Sequence, residues 1–315
     1  MSKVLIKPLT KIRRQDLDIV GGKGLSLGLL SGVGFTIPDG FVITAHAFRR
    51  FLNETNVDQE VHAMWDKINF NAIESIESYS KIIRSVIKNA IMPKDIQDEI
   101  FQKYQALDVS FVAVRSSATA EDSTIASWAG ELESYLYITR SDLIKHIKLC
   151  WASLYTPRAI FYRVQNNMTW KEIAVAVIIQ KMVNSHTSGV CFTVNPLTKN
   201  TNDMVIEAVY GLGEAFAQGR VTPDQYLVDK KEEVIIDITT HSQKMMYMQG
   251  RRGGLREVKI SKKKASEQKL SGKEIIQVME ACKQIEKFFR LPQDIEWAIE
   301  NNVLYILQSR PITTL

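Results

Sequence analysis

The sequence has little that would tie it to an oxidising compartment, a zinc site or a membrane. Its three cysteines, Cys150, Cys191 and Cys282, are scattered and odd in number, which predicts neither a disulfide framework nor a zinc knuckle. The longest uncharged apolar run, residues 173–179, is too short to cross a bilayer. The N-terminus shows no hydrophobic export segment. We therefore expect a cytoplasmic protein with no membrane partner.

Positive charge is also too scarce to indicate a nucleic-acid partner. The formal net charge is +5 over 315 residues, and much of it lies between Arg251 and Lys264. A basic run of this kind is usually a solvated loop. No aromatic residues alternate with these charges to stack on bases, so we expect no nucleic-acid binding.

The few histidines suggest no catalytic or phosphate-carrying site. The sequence has five, at His46, His62, His146, His186 and His241. None lies in a glycine-rich turn before a helix, and none has an acidic residue at a suitable spacing. Each is more simply interpreted as a surface or core residue.

The succession of patterns predicts an α+β protein with two lobes, because 315 residues exceed what one compact core usually spans. Helical spacing dominates residues 45–106, and Ser141-Asp142 is expected to cap a long helix that reaches Arg163. Strands dominate from residue 173. We place the lobe boundary near residue 170, which gives an N-terminal lobe of residues 1–170 and a C-terminal lobe of residues 171–315.

A glycine-rich turn, Gly21-Gly22-Lys23-Gly24, follows a short strand and opens a helix. Glycines at this position let backbone N–H groups approach an anion, and the helix N-terminus favours negative charge. Lys23 adds a mobile charge suited to polyphosphate. The spacing is not that of a Walker A loop. An ordinary turn with an exposed lysine explains the motif slightly better when it is considered alone.

Arg115 lies where a buried strand ends and a hydroxyl-rich loop begins. Ligands of open α/β architectures bind beyond the carboxyl ends of strands, and a guanidinium offers several donors to phosphate oxygens. The alternative is an ion pair with Glu121 or Asp122 that holds the loop in place. We favour phosphate recognition, because the long loop of small residues up to Gly130 is suited to folding over phosphates.

The last segment, residues 294–310, has the alternation of a β-hairpin with one apolar and one polar face. Glu296 and Gln308 would place a carboxylate and an amide oxygen side by side, which suits Mg²⁺. Arg310 would share that face. The alternative is the solvent-exposed polar face of an edge hairpin.

The metal site makes a demand on the strand register, since Glu296 and Gln308 must leave the same face of the sheet. We expect a three-residue turn, Asn301-Asn302-Val303, that pairs 296 with 308, 298 with 306 and 300 with 304. A two-residue Asn301-Asn302 turn would place Glu296 opposite Leu307. The two side chains would then lie on opposite faces unless a bulge intervened.

Two further segments carry weaker signals. Residues 173–183 predict a buried strand, whose end could line an adenine pocket, although a core strand is the better interpretation in isolation. Glu214 follows a strand and the Gly211-Leu212-Gly213 turn, so its carboxylate could accept ribose hydroxyls. A carboxylate that stabilises a helix start is the alternative.

Taken together, five segments in one order resemble the ATP-binding module shared by phosphoenolpyruvate synthase, pyruvate phosphate dikinase and rifampin phosphotransferase. They begin at Gly21 (GGKGLSLG), Val114 (VRSSATAED), Cys150 (CWASLYTPRA), Gln293 (QDIEW) and Gln308 (QSRP). The ending QSRPITT is more similar to the rifampin phosphotransferase branch. The resemblance implies an ATP-grasp-like fold with the nucleotide in a cleft between two lobes.

Matched positions imply the following roles for individual residues. Lys23, Arg115 and Arg310 would contact phosphates and carry catalysis. Glu296 and Gln308 would hold Mg²⁺. The remaining ATP contacts would be made by Gly130 and Ser134 in a lid over the triphosphate, by Lys181, Met182 and Val183 in the adenine hinge, and by Glu214 at the ribose. The residues Glu131-Leu132-Glu133-Ser134 depart from the glutamine and threonine that are usual there.

The resemblance also implies a reaction and a partner. Such enzymes pass the β-phosphoryl group of ATP to a histidine on a separate carrier domain, release AMP and phosphate, and then use an acceptor-binding domain. The segment with that histidine is not present, so we expect an excised domain or a free-standing subunit. A non-catalytic ATP-binding regulatory subunit is the alternative function. The final acceptor, whether a rifamycin, pyruvate or a phenol, is chosen elsewhere.

Overall fold

Two compact units make up the chain. The computed structural model describes residues 4–119, 133–166, 168 and 173–313. One unit comprises Met1–Gly32 and Asp39–Met182, and the other comprises Val33–Pro38 and Val183–Leu315. Both combine helices with antiparallel sheet, which confirms the α+β class. The boundary between the units lies after Met182, later than the expected boundary near residue 170. The reason is that strand Val175–Lys181 pairs with two strands of the first unit.

A five-stranded antiparallel sheet forms the centre of the first unit. Its strands are β1 (Ile6–Pro8), β2 (Gly40–Ile43), β3 (Val112–Ala118), β4 (Ser134–Ile138) and β5 (Val175–Lys181), in the order β1-β2-β5-β3-β4. Its described α-helices are α1 (Leu17–Gly32), α2 (Ala45–Glu54), α3 (Val57–Trp65), α4 (Ile73–Asn89), α5 (Lys94–Ala106), α6 (Leu143–Ala152) and α7 (Pro157–Gln165). Trp151 of α6 is fully buried, with its ring 4.8 Å from that of Phe51 and 5.5 Å from that of Phe48.

The long helix expected from Ser141 to Arg163 is wrong. The chain forms α6, a short 3-10 turn and then α7. Proline at position 157 has no N–H to continue the first helix but suits the first turn of the next one. Thr156 caps that new helix, since its hydroxyl accepts a hydrogen bond from the Ala159 N–H at 3.2 Å.

The second unit contains a six-stranded antiparallel sheet and a separate two-stranded hairpin. The large sheet consists of β6 (Thr187–Phe192), β7 (Asp203–Tyr210), β8 (Asp224–Asp229), β9 (Val234–Thr239), β12 (Gln293–Glu300) and β13 (Val303–Pro311), in the order β13-β12-β6-β7-β8-β9. Strands β10 (Met245–Gln249) and β11 (Leu255–Lys259) form the hairpin. The helices are α8 (Glu214–Ala217), α9 (Lys262–Ala265) and α10 (Gly272–Phe289).

Helix α10 covers one face of the large sheet, where it packs against β6, β7 and β12. It begins with a capping box in which the Ser271 hydroxyl accepts from the Glu274 N–H and the Glu274 carboxylate accepts from the Ser271 N–H. The buried side chains of Trp297 and Ile295 belong to the covered apolar side of β12. Glu296 alternates with them, so it leaves the opposite face. No helix in the described residues is long and apolar enough to cross a membrane.

A buried ion pair joins β8 to the segment that precedes α10. Lys269 Nζ lies 2.8 Å from Asp224 Oδ1, and neither side chain is exposed. The Asp224 carboxylate also accepts hydrogen bonds from the Lys269 and His241 N–H groups and from the Tyr226 hydroxyl. Lys269 Nζ donates to the His241 carbonyl as well. The hydrogen bonds offset the desolvation of both charges, and losing one partner would leave the other uncompensated.

We predict that Lys269→Met lowers the free energy of unfolding by about 3–5 kcal/mol, because Asp224 would keep its burial and lose its cation. Lys94→Met is the matched control, since Lys94 and Asp98 form an exposed pair with side chains 88% and 58% accessible. That change should have an effect of about 0.5 kcal/mol or less. Urea unfolding of the three proteins measures the difference, and equal losses in the two variants would contradict the prediction.

Candidate functional site

The glycine-rich turn is fixed to the end of β3 by close backbone packing. Gly21 interrupts α1 with φ 72° and ψ 171°. A Cβ at Gly21 would lie 2.3 Å from Ser117 Oγ and 2.7 Å from the Ala118 carbonyl oxygen, so no other residue fits. Ser117 Oγ accepts from the Gly24 N–H at 3.2 Å and donates to the Val20 carbonyl at 2.9 Å. These contacts fix the position of the turn relative to β3.

Lys23 and Arg115 therefore belong to adjoining elements of the first unit. Lys23 Nζ lies 3.5 Å from the carbonyl oxygen of Ser116, the residue that follows Arg115 on β3. Arg115 is half-buried. Arg115 lies within β3, which continues to Ala118, so the expectation that the strand ends at Arg115 is wrong, because Ser116, Ser117 and Ala118 still pair with β5.

Arg115 and Ser134 lie directly opposite each other on β3 and β4. Opposed residues of an antiparallel pair share a sheet face, with Cβ atoms about 5 Å apart. Ser134 is exposed, so its hydroxyl is free to serve the face that bears the guanidinium. Gly130, the other predicted lid residue, lies outside the described residues.

Glu133, which is expected to depart from the family pattern, contacts helix α4. Its carboxylate lies 3.0 Å from Arg84 Nη2 of α4 and accepts a hydrogen bond from the Tyr135 hydroxyl. Burial raises the pKa of Glu133, while the charge of Arg84 acts in the opposite direction. The carboxylate therefore ties β4 to α4, and Ser134 beside it remains exposed.

The predicted adenine hinge begins at the end of β5. Lys181 is exposed and its N–H donates to the Asp39 carbonyl at 2.8 Å, whereas Met182 is half-buried and Val183 is buried. Gln180, which the sequence did not single out, is 2% exposed. Gln180 pairs with Ala113, which lies two residues before Arg115 on β3. Gln180 therefore shares the sheet face of Arg115. A buried amide on that face could have been inferred from strand alternation alone.

The terminal hairpin turns differently from the expectation. Glu300 pairs with Val303, so the turn has two residues, Asn301 at φ 50° and Asn302 at φ 63°. The expected three-residue turn and the pairings of 298 with 306 and 300 with 304 are wrong. Two successive left-handed residues are typical of the tight turn that matches strand twist, and asparagine tolerates this conformation better than most residues.

A β-bulge nevertheless restores the pairing that a metal site needs. The register runs without interruption from Glu300 to Trp297, which pairs with Ile306, and then shifts so that Glu296 pairs with Gln308. Leu307 is the extra residue. The predicted opposition of Glu296 and Gln308 is therefore confirmed, although the backbone reaches it by another route.

Asp294 and Arg310 form a second opposed pair on the same face. Arg310 Nη2 and Nε lie 2.6 and 2.9 Å from Asp294 Oδ2. The Asp294 side chain is 12% exposed and that of Arg310 45% exposed. Burial raises the pKa of Asp294, the Arg310 charge lowers it, and the neighbouring Glu296 charge raises it further. Sequence analysis missed this role of Asp294, although the alternation with Glu296 places both on one face.

A third carboxylate lies on the same face two strands away. Glu296 pairs with Val190, which in turn pairs with Glu207 of β7. Burial raises the pKa of Glu207, and the charge of Asp294 adds to this effect. The face thus carries several negative groups and a single opposing arginine in this row, which favours the approach of a cation.

The chemistry of this face suits Mg²⁺ completed by other oxygen ligands. Among the described residues, no group of three or more His, Cys, Asp or Glu side chains is arranged to hold a metal by itself. Glu296 and Gln308 supply two hard oxygen donors from opposed positions. Mg²⁺ prefers six oxygens and keeps waters or phosphates, so a two-donor protein site fits it.

Glu214 lies at the first position of α8, half-buried, after the Gly211-Leu212-Gly213 turn. Its Oε1 accepts from Gln218 Nε2 at 2.9 Å. This contact within the helix agrees with the interpretation as a helix-start carboxylate and leaves Oε2 for another donor. The predicted ribose contact stays a prediction.

Comparison with known proteins gives a consistent result. Residues 17–315 match the family described as pyruvate phosphate dikinase, AMP/ATP-binding domain. A probable phosphoenolpyruvate synthase of Archaeoglobus fulgidus is 41% identical over 98% of this chain and 41% of its own length. The corresponding protein of Methanocaldococcus jannaschii is 40% identical over 98% of this chain and 26% of its own. A rifampicin phosphotransferase of Bacillus cereus is 38% identical over 97% of this chain and 35% of its own.

The chain spans between 26% and 45% of the length of the curated relatives that it matches. The identities to phosphoenolpyruvate synthases and to rifampicin phosphotransferases are similar, so identity alone does not assign the chain to either activity.

We predict that Asp294→Asn stabilises the protein at neutral pH. A carboxyl group whose pKa is raised by folding stabilises the fold while protonated, and that contribution is lost as the pH rises through the raised pKa. The asparagine variant escapes this loss. The difference in unfolding free energy between variant and wild type should therefore grow between about pH 4 and pH 7. A difference that shrinks over this range in chemical unfolding would contradict the prediction.

We also predict that the Asn301-Asn302 turn depends on its left-handed backbone. Asn302→Ala should lower the free energy of unfolding by about 1 kcal/mol, because alanine tolerates positive φ poorly. Asn302→Gly, the matched control, should change it by less than about half of that amount, since glycine adopts this conformation freely. Urea unfolding distinguishes the two, and equal destabilisation would indicate that the asparagine side chain, not the backbone, holds the turn.

Proposed function

This chain belongs to the family of pyruvate phosphate dikinase AMP/ATP-binding domains, and from that premise we propose its reaction. It binds ATP with Mg²⁺ and transfers the β-phosphoryl group to a histidine on a separate carrier domain, releasing AMP and phosphate. Two bonds break: the one between the α- and β-phosphates, as the histidine nitrogen bonds to the β-phosphorus and AMP leaves, and the one between the β- and γ-phosphates, which water hydrolyses to release the γ-phosphate as inorganic phosphate. The carrier and acceptor-binding domains belong either to the same full-length chain or to a separate subunit.

The observation that carries this proposal is the opposition of Glu296 and Gln308 across β12 and β13. A face that served only solubility would not need a bulge at Leu307 to align a carboxylate with an amide. Mg²⁺ held there would neutralise phosphate charge, which is its usual contribution to phosphoryl transfer.

The phosphate contacts are assigned to three cations. Lys23 and Arg115 serve in the first unit, and Arg310 serves in the second. Catalysis of phosphoryl transfer depends mainly on positioning and charge stabilisation, so these side chains need no proton-transfer role. Arg310 Nη2 lies 2.6 Å from Asp294 Oδ2, and this contact orients the guanidinium.

The nucleoside contacts are assigned by position and chemistry. Lys181, Met182 and Val183 offer backbone groups and apolar side chains to adenine, Gln180 adds a buried amide on the Arg115 face, and Glu214 accepts from the ribose. Gly130 and Ser134 are assigned to a lid over the triphosphate.

A regulatory ATP-binding subunit remains the alternative function. Retention of Glu296, Gln308, Arg115 and Arg310 favours catalysis, because ATP sensing alone would tolerate the loss of some of them. The two functions differ in a single product, since only the catalytic chain forms AMP.

The test is AMP formation with and without a supplied phosphohistidine carrier domain from a phosphoenolpyruvate synthase. We expect negligible turnover by residues 1–315 alone, because the proposed acceptor histidine belongs to the carrier domain, and one AMP per phosphorylated carrier when that domain is added. ATP binding with no AMP under either condition would support the regulatory alternative.

We predict that Arg115→Ala lowers phosphoryl transfer to the carrier by about 100-fold or more, as loss of a charge-stabilising donor does elsewhere. The fold should remain, since Arg115 is only half-buried and faces the exposed Ser134 across β3 and β4. Exposed Arg14→Ala is the control and should leave transfer unchanged. If Arg115→Ala instead lowered the melting temperature and spared transfer, Arg115 would have a structural role.

A further inference from the structure

Positive charge is concentrated in one segment of the second unit. Residues 244–264, which we call the basic hairpin, contain β10, β11 and the first three residues of α9. They hold eight lysines and arginines and one acidic residue, Glu257. The resulting formal charge of +7 exceeds the +5 of the whole chain, so all other residues together are slightly negative. The sequence of this basic segment indicates a solvated loop, but most of it forms two strands and the start of a helix.

The cations of the basic hairpin are exposed and largely unopposed. Glu257, its one carboxylate, pairs with Arg220 from outside the hairpin at 2.9 Å. In the part of the chain that the structure describes, the hairpin's basic residues form no ion pair within 4 Å. These residues are Lys244, Arg251, Arg252, Arg256, Lys259, Lys262, Lys263 and Lys264. All eight are exposed. Like charges at this density repel one another and attract an oppositely charged surface.

The basic hairpin is packed against the segment that leads to Glu214. The Leu212 N–H donates to the Tyr247 carbonyl at 3.2 Å, and Arg220 Nη1 lies 2.8 Å from the Tyr247 hydroxyl. A Cβ on Gly211 would lie 2.7 Å from the Tyr247 carbonyl oxygen, so the backbones are in direct contact. The charged surface is therefore fixed beside a residue that we assign to the nucleotide.

The composition of the hairpin fits a protein surface better than a nucleic acid. Tyr247 is its only aromatic residue and it is buried, so no ring is available to stack on bases. Met246 and Met248 are half-buried, and methionine adapts to changing contacts. Charge-driven docking gives fast association without high affinity, which suits a partner that must arrive and leave in every cycle.

We propose that the basic hairpin is the docking surface for the phosphohistidine carrier domain, which presents an acidic face to it. This inference rests on the proposed function and adds where, and through which charges, the partner binds.

The test compares two triple variants with the same change of charge. Arg251→Gln/Arg252→Gln/Lys263→Gln neutralises the hairpin, and Lys67→Gln/Lys81→Gln/Lys145→Gln removes three exposed lysines of the first unit. Phosphoryl transfer to the carrier domain is measured against carrier concentration at several NaCl concentrations, and calorimetry measures ATP binding in Mg²⁺ buffer.

We expect the hairpin variant to lose about tenfold in kcat/KM for the carrier at low salt, with kcat and ATP affinity unchanged. The wild-type kcat/KM should fall with added salt, and that of the hairpin variant should fall less steeply. The lysine variant should behave as wild type.

Three other outcomes would contradict the docking surface, and one of them would also contradict the proposed function. Equal kcat/KM for the hairpin and lysine variants would overturn the docking surface and leave the proposed function intact. No transfer by the wild type at any salt concentration would overturn both. Anisotropy titrations with a single-stranded RNA and a duplex DNA, at about 150 mM salt, test whether the basic hairpin binds nucleic acid instead of a carrier domain. Tight binding that the hairpin variant loses would identify a nucleic-acid site and overturn carrier docking.

Discussion

The period of two in a β-strand is the constraint on which the proposed site depends. A slip of one residue between β12 and β13 would move Gln308 to the face covered by α10 and leave Glu296 without its amide partner. The structure avoids the slip with two coupled features, a two-residue turn at Asn301-Asn302 and a bulge at Leu307. The turn suits the strand twist, and the bulge realigns the polar side chains. Neither feature alone gives the observed pairing of Glu296 with Gln308.

This pairing also shows what the sequence could and could not predict. The alternation along β12 predicted the polar face that carries Glu296, and the expected opposition of Glu296 and Gln308 is confirmed by the observed register. The expected three-residue turn was wrong. A two-residue turn with a bulge opposes Glu296 to Gln308 just as a three-residue turn without a bulge would, so the pattern of residue types does not distinguish the two. The end of β3 was predicted too early, because the small residues Ser116, Ser117 and Ala118 continue the strand beyond Arg115 and pair with β5.

What the sequence did not predict depends on contacts between distant segments. Residues 33–38 belong to the second unit, where the Ile306 N–H donates to the Thr36 carbonyl at 3.0 Å, and no local pattern indicates this. The same holds for the buried Lys269–Asp224 pair and for the packing of the basic hairpin, through Tyr247, against Leu212 and Arg220. The Asp294–Arg310 pair could have been predicted, because Asp294 and Arg310 lie two residues from Glu296 and Gln308 on their strands. Positions 120–132, including Gly130, lie outside the described residues.

If Glu296 and Gln308 hold the Mg²⁺ through which ATP binds, as we propose, ATP affinity must depend on the metal and on both side chains. Calorimetric titration of ATP into the wild-type chain, in Mg²⁺ buffer and again with excess chelator, tests it most directly. We expect ATP to bind in Mg²⁺ buffer and not in excess chelator. In Mg²⁺ buffer the ATP affinity should drop at least about tenfold in Glu296→Gln and in Gln308→Ala. Wild-type binding of equal strength with and without Mg²⁺, or unchanged affinity in both variants, would contradict it.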